Sequence, residues 1–167
     1  MSDEARLVLD RHLRVPVENG MFAVTDPALG DPAAMAAGLD EATGSGRFVA
    51  VVRDVLTVVT PAEDSLGTPV TVEVRDGAPS AAPGADHEVE LDLTVSGGFE
   101  VWLVSGAVAA VEGVPPGEYR VRVQGYGFTP FDEYDGESRE SYRLVLWPRG
   151  APSPPLVTRR WPGWDSY

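Results

Sequence analysis

The sequence predicts an all-β protein, an antiparallel β-sandwich of about eight or nine short strands with one short helix near residues 32–43. Apolar and polar residues alternate cleanly in several segments, most clearly over 86–95 and 119–124. Because side chains on a strand point to opposite faces in turn, such segments have one buried and one solvated face. Turn-forming residues separate them at fairly even spacing, which favours a sandwich, with an open β-barrel as the alternative.

Length and composition fit one domain over residues 1–148 and a Pro-rich extension over 149–167. We expect the tryptophans or the tyrosine of the extension to pack on the body. The chain has 167 residues and no cysteine, so it can bury a core without disulfides or thiolate metal sites. All 13 basic residues are arginine, and lysine and isoleucine are absent, which indicates a high-GC bacterial genome.

Targeting signals and charge restrict the location and the partners. The first residues lack the apolar stretch of a signal peptide, and no segment approaches the roughly 20 apolar residues of a membrane span, so we expect a cytoplasmic protein. The formal net charge is −13. A field of this sign repels phosphates and anionic lipids, so we expect no nucleic-acid or membrane binding, and it favours basic protein partners.

The N-terminal segment has the pattern of a hairpin. Asn19-Gly20 is typical of a two-residue type I′ turn, because both central positions of that turn need positive φ. The turn would pair Val17 with Phe22 and Val15 with Val24, which places the apolar residues on one face.

A helix and a buried segment follow. Asp31 can cap the helix and Pro32 suits its first position, before Gly44. We expect the helix to be a crossover or to cover one end of the sheets. Residues 47–60 are almost continuously apolar, which predicts one buried strand or a pair bent at Arg53-Asp54.

A second hairpin is predicted further along the chain. Residues 68–75 alternate, with their valines facing inward. The strand ending at Val95 would be joined to the next by a three-residue loop, Ser96–Gly98, which pairs Val95 with Phe99 and keeps the apolar face intact. The remaining predicted strands span 118–124 and 142–147.

The acidic segment over 127–141, between the last two predicted strands, is the candidate site. Loops of this length in a compact domain are unusual and often functional. The candidate partner-binding residues are Phe128, Phe131, Asp132, Glu133, Tyr134, Asp135 and Glu137. Aromatic anchors among carboxylates suit docking to a basic protein. Calcium binding by Asp132, Asp135 and Glu137 is an alternative, although their spacing does not match an EF-hand loop, and a merely solvated loop is another.

No catalytic residue, metal site or cofactor is predicted. His12 and His87 are interpreted as surface residues at polar strand positions, with nothing at metal-ligand spacing beside them. Ser105 could join either histidine on paper, but the nucleophile-elbow motif is absent. We therefore expect a non-enzymatic protein, with a hydrolase as the least favoured alternative. A small-molecule-binding sandwich or barrel, with an apolar cleft edged by Trp102 or Trp161, is the stronger alternative.

The C-terminal half carries two motifs, PPGEYRVRV over 115–123 and YRLVLWP over 142–148, preceded by DHEVELDLTV over 86–95. In this half the chain resembles small, mostly uncharacterised actinobacterial proteins and is similar to the competence protein J family of bacterial nuclease inhibitors, which are acidic β-sandwich proteins. The resemblance implies a sandwich and an inhibitor or immunity-type role towards a basic protein such as a nuclease. It implies no catalytic residue.

Overall fold

The computed structural model describes residues 4–130 and 138–167. These ranges contain eleven strands, one α-helix and short 3₁₀ helices at Pro27–Leu29 and Pro162–Ser166. The strands are β1 (Leu7–Val17), β2 (Met21–Thr25), β3 (Val49–Val52), β4 (Val55–Val59), β5 (Ser65–Arg75), β6 (His87–Val95), β7 (Glu100–Leu103), β8 (Gly106–Ala110), β9 (Gly117–Tyr126), β10 (Ser141–Pro148) and β11 (Leu156–Arg159), and the helix is α1 (Pro32–Gly44).

Two sheets pack face to face, which confirms the predicted β-sandwich over the open-barrel alternative. The six-stranded sheet has the order β1-β5-β10-β9-β6-β11, and the five-stranded sheet has the order β3-β4-β2-β7-β8. Neighbouring strands are antiparallel except β5 and β10, which are parallel. The alternating residues of both sheets point inward and form one core, which includes Phe22, Leu56, Val72, Leu91, Val101, Val121 and Leu144.

The predicted helix is confirmed, and the Asp31 side chain caps it by accepting a hydrogen bond from the Ala33 backbone N–H at 2.9 Å. The helix packs on the outer face of the five-stranded sheet and not over an end of the sandwich, since Met35 lies in a cluster with Met21 and Ala23. Strands β2 and β4 are therefore buried on both faces, which explains their continuous apolar sequences. None of the helices in the described ranges is both long and apolar enough to cross a bilayer.

The buried segment over 47–60 is a pair of strands, β3 and β4. They turn at Arg53 and Asp54, whose φ angles are 52° and 58°, and they pair antiparallel. The structure thus selects the bent pair from the two predicted alternatives.

Both predicted hairpin pairings are wrong, although the faces are correct. Asn19 and Gly20 form the expected turn, with φ angles of 54° and 69°, but β1 then pairs with β5 and β2 with β4, in different sheets. Likewise β6 pairs with β9 and β7 with β2, so Ser96–Gly98 is a crossover between the sheets. Two strands with apolar faces can pair side by side in one sheet, or they can lie in opposite sheets and face each other across the core. Both arrangements bury the apolar residues, so alternation alone cannot distinguish them.

The C-terminal residues add an edge strand and an aromatic cluster. Strand β11 pairs antiparallel with β6. Trp161 and Trp164 are buried, and Trp164 stacks on Phe48 with ring centroids 3.9 Å apart. This second cluster lies at the same end of the molecule as Phe128, which packs against it.

Candidate functional site

The acidic segment begins and ends at one end of the six-stranded sheet, because β9 and β10 are antiparallel neighbours. We call this end, with the β1–β2 turn (18–20), the β4–β5 loop (60–64) and the first two residues of β5 (65–66), the loop end. Of the predicted partner-binding residues, Phe128 is described. The others lie outside the described residues: Phe131, Asp132, Glu133, Tyr134, Asp135 and Glu137.

Phe128 lies within an aromatic cluster and contributes to the interior. Its ring centroid is 5.3 Å from that of Trp161, 5.8 Å from that of Tyr142 and 5.9 Å from that of Trp164. Its backbone N–H donates to the Asp86 carboxylate at 3.0 Å. These contacts fix the start of the acidic segment to the body.

Glu140 fixes the other end of the segment. It is 4% exposed, and its Oε1 accepts a hydrogen bond from the Ala62 backbone N–H at 2.7 Å while its Oε2 accepts one from the Tyr142 hydroxyl at 2.9 Å. Burial raises the pKa of the Glu140 carboxyl, and the two hydrogen bonds oppose that rise. Glu140 therefore belongs to the framework of the loop end and not to its exposed acidic surface.

Three other carboxylates occupy the exposed surface of the loop end: Glu18, Glu63 and Asp64. In the ranges that the structure describes, no arginine lies within ion-pair distance of them. A groove of about 550 Å³ is lined by Glu18 and Asp64 together with Pro16, Val17, Ser65, Leu66 and Ser138. The lining of the groove thus includes two acidic residues.

A second groove, of about 290 Å³, lies beside the first. Its lining residues are Asn19, Gly20, Leu39, Val59, Thr60, Pro61, Glu63 and Tyr167. The side chain of Tyr167 forms one wall, and its hydroxyl donates a hydrogen bond to the Pro61 carbonyl. The lining is mainly apolar, and Glu63 is its one acidic residue.

Exposed apolar side chains accompany these acids. Leu66 is 100% exposed, Tyr167 is 56% exposed and Val104, at the tip of the β7–β8 hairpin, is 54% exposed. The hairpin tip belongs to the same surface, because the Ser105 hydroxyl donates to the Glu18 carboxylate at 3.0 Å. The combination of exposed apolar residues with carboxylates is typical of protein-binding surfaces.

Several arginines lie away from the loop end, where they form a ladder of ion pairs on the outer face of the six-stranded sheet. The pairs are Arg120 with Asp92 (3.0 Å), Arg122 with Glu90 (2.9 Å), Arg75 with Glu73 (3.0 Å) and Arg143 with Glu73 (2.6 Å). Pro-rich segments cover the ladder: Arg120 donates to the carbonyls of Ser153 and Pro154, and Arg122 to that of Ser80. These cations do not neutralise the loop end.

The two histidines differ in position. His12 is exposed and contacts the Asp10 carboxylate at 3.1 Å on an open sheet face, where nothing excludes water from it. The surface prediction for His87 is wrong, because it shares the inward parity of Val89 and is 3% exposed. Its Nδ1 accepts from the Trp161 N–H at 3.2 Å, so its Nε2 donates to the Arg47 carbonyl at 2.6 Å.

The tryptophans proposed to edge a ligand cleft are packed. The Trp102 ring lies against Gly30 so closely that a Cβ there would be 2.5 Å from it, and Trp161 is 7% exposed. Within the described residues, no three His, Cys, Asp or Glu side chains are grouped so that they could hold a metal ion.

Sequence reasoning missed most of the loop-end surface. Neither alternation nor any motif singles out Glu63 and Asp64, and Leu66 occupies the same alternating positions as the inward valines of β5. The signal that could have marked them was their place in the loop that follows a fully buried strand, beside the Asn19-Gly20 turn.

Comparisons with known proteins agree on the fold. No family model matches the chain, and no curated protein sequence matches it. The solved structure of ComJ from Bacillus subtilis, described as an inhibitor of the DNA-degrading activity of NucA, has a TM-score of 0.52 and 13% identity over 87% of this chain and 98% of its own. A structure described as crocagin biosynthetic gene J has a TM-score of 0.50 and 16% identity over 86% of this chain and 100% of its own. These likenesses confirm the resemblance to the competence protein J family at the level of the fold.

Proposed function

We propose that the protein is a non-enzymatic cytoplasmic inhibitor that binds a basic protein, such as a nuclease, through the loop end. The observation that carries the proposal is the juxtaposition of exposed Leu66, Val104 and Tyr167 with carboxylates that no described arginine neutralises. The fold shared with ComJ, an inhibitor of a nuclease, supports an inhibitor role and a protein partner.

Charge and apolar side chains contribute to different steps of binding. The net charge of −13 steers a basic partner towards the surface, and the exposed apolar side chains are desolvated once it docks. The acidic segment joins the body at the same end, so we propose that its residues extend the contact: Phe131, Asp132, Glu133, Tyr134, Asp135 and Glu137. Phe128 holds the start of that segment in place.

The test is capture followed by inhibition. The immobilised full chain is exposed to a lysate of the source bacterium at about 50 mM and about 500 mM salt, and each captured nuclease is purified and assayed for DNA degradation. We expect a basic nuclease to bind at low salt, to be released at high salt and to lose activity in proportion to the added protein. Retention of no basic protein at low salt, or a captured nuclease that stays fully active, would contradict the proposal.

Matched charge variants locate the surface. Each neutralises three acids: E18Q/E63Q/D64N at the loop end, and E4Q/D40N/E112Q elsewhere on exposed positions. Because both change the net charge equally, a general field effect alters binding equally. We expect the loop-end variant to bind about 10-fold more weakly than the control variant. Equal affinities would place the contact somewhere else.

A further inference from the structure

We propose that the groove beside Tyr167 is a receptor site for one arginine side chain of the basic partner. The inference rests on the proposed function and deepens it by naming the side chain that the loop end binds. It follows from the shape of the groove, its fixed aromatic wall and its unneutralised carboxylate.

The groove suits a long side chain with an apolar stem. Its volume is about 290 Å³, and Leu39, Val59 and Pro61 line it. Leu39 comes from α1, whereas Val59 and Pro61 come from the end of β4 and the loop after it. Two packed elements therefore hold the apolar walls in place, so the stem of a bound side chain would replace water along them.

Tyr167 supplies a rigid aromatic wall. Its hydroxyl donates to the Pro61 carbonyl, and its ring meets that of Trp164 edge to face with centroids 5.0 Å apart. Trp164 is itself 2% exposed. The Tyr167 ring is thus held at both ends while 56% of the residue stays exposed, and an aromatic wall that is already fixed loses little entropy on binding.

The groove is electronegative. Glu63 is one of its lining residues and its negative charge acts on Tyr167, and among the described residues no arginine is within ion-pair distance of the Glu63 carboxylate. Burial, together with the negative charges of Glu140 and Glu63, raises the pKa of Tyr167 to about 12. The same field that disfavours a tyrosinate favours a cation in the groove.

Arginine fits these features better than lysine does. Its planar guanidinium can stack on the Tyr167 ring while its forked N–H groups donate to the Glu63 carboxylate, and its methylenes can lie along Leu39. A lysine ammonium is a compact, strongly hydrated point charge that cannot stack in this way. A neutral side chain of the same shape can still donate hydrogen bonds to Glu63 but lacks the attraction between opposite charges that strengthens them.

The experiment uses NMR titration of the full chain with capped tripeptides: Gly-Arg-Gly, Gly-Lys-Gly and Gly-citrulline-Gly. Citrulline keeps the shape of arginine and removes its charge. We expect the arginine peptide to shift the Gly20 amide and the Leu39 and Val59 methyl resonances saturably, and to bind about 10-fold more tightly than the citrulline peptide. Equal binding of these two peptides, or shifts that avoid the groove, would overturn the proposal.

Variants test the named contacts. E63Q and Y167A should each weaken arginine-peptide binding several-fold. Y167F, which keeps the ring but loses its hydrogen bond to Pro61, should weaken binding less than Y167A does. E112Q, which makes the same charge change at a remote exposed position, should retain binding. If E112Q weakens binding as much as E63Q, the site is wrong. Failure of the peptide to bind while nuclease capture persists overturns this inference alone, whereas peptide binding without capture supports the arginine site and contradicts the proposed function.

Discussion

Glu140 offers the most direct test of the framework of the loop end, because both oxygens of its buried carboxylate accept hydrogen bonds. The E140A substitution leaves the Ala62 N–H and the Tyr142 hydroxyl buried without an acceptor. A buried polar group that loses its partner costs about 1–3 kcal/mol, so E140A should lower the free energy of unfolding by about 2–6 kcal/mol.

The E140Q variant separates the charge of this side chain from its hydrogen bonds. The amide oxygen can still accept from Ala62, and the Tyr142 hydroxyl oxygen can accept from the amide N–H. Because burial raises the pKa of Glu140 above its ordinary value, the contribution of Glu140 to folding stability is greatest below that ordinary value and declines as the pH rises through the folded pKa. E140Q removes this titration, so its stability relative to wild type should increase from about pH 4 to neutrality.

The assay is urea unfolding followed by tryptophan fluorescence between about pH 4 and pH 8, with E112Q as the exposed control. A loss below about 1 kcal/mol for E140A would show that the two hydrogen bonds do not support the fold. A difference between wild type and E140Q that stays constant with pH would refute the buried-carboxyl argument.

Three further predictions concern His87, Gly38 and Trp164. Burial, with the charge of Arg160, lowers the pKa of His87, so its contribution to thermal stability should be lost as the pH drops below about 6.5. H87Q should make the melting temperature fall less over this pH range than it does in wild type, and parallel plots of melting temperature against pH would contradict the argument. G38A should destabilise by about 1–3 kcal/mol in denaturant, despite the better helix propensity of alanine, because the new Cβ would collide with the Thr57 hydroxyl; stabilisation would show that the helix can move. W164A should cost about 3–5 kcal/mol in the same assay, and a loss under about 1 kcal/mol would show that the aromatic cluster is dispensable.

Most strand positions and faces were predictable from the sequence, whereas β8, β11 and the strand partners were not. Val17 and Phe22 point inward as alternation requires, yet they lie in different sheets. Val95 and Phe99 also point inward, with Val95 in the six-stranded sheet and Phe99 directly before β7 of the five-stranded sheet. Alternation specifies which side of a strand is buried. The choice of neighbour depends on twist and on crossover connections, which involve residues far apart in the chain.

The sequence indicated the region of the candidate site but only some of its residues. The acidic composition of residues 127–141 correctly indicated the loop end as an acidic region. It could not distinguish Glu140 from the other acids of the segment, although Glu140 is buried and accepts hydrogen bonds from Ala62 and Tyr142. Leu66 has core parity and is fully exposed because the β1–β5 register shifts between Val15 and Val17. The glycine at position 67, inside β5, is the local sign of this irregularity. The parity of His87 was likewise present in the sequence and was misassigned.

The parallel pairing of β5 with β10 has a consequence for how the chain is made. Strand β5 ends at Arg75 and β10 begins at Ser141, so the interior of the larger sheet joins segments that a ribosome delivers far apart in time. Until the second segment emerges, one side of β5 stays open as an unpaired edge to which other nascent chains could add. Completion of this sheet must therefore wait until β10 has been synthesised, well after β5 has left the ribosome.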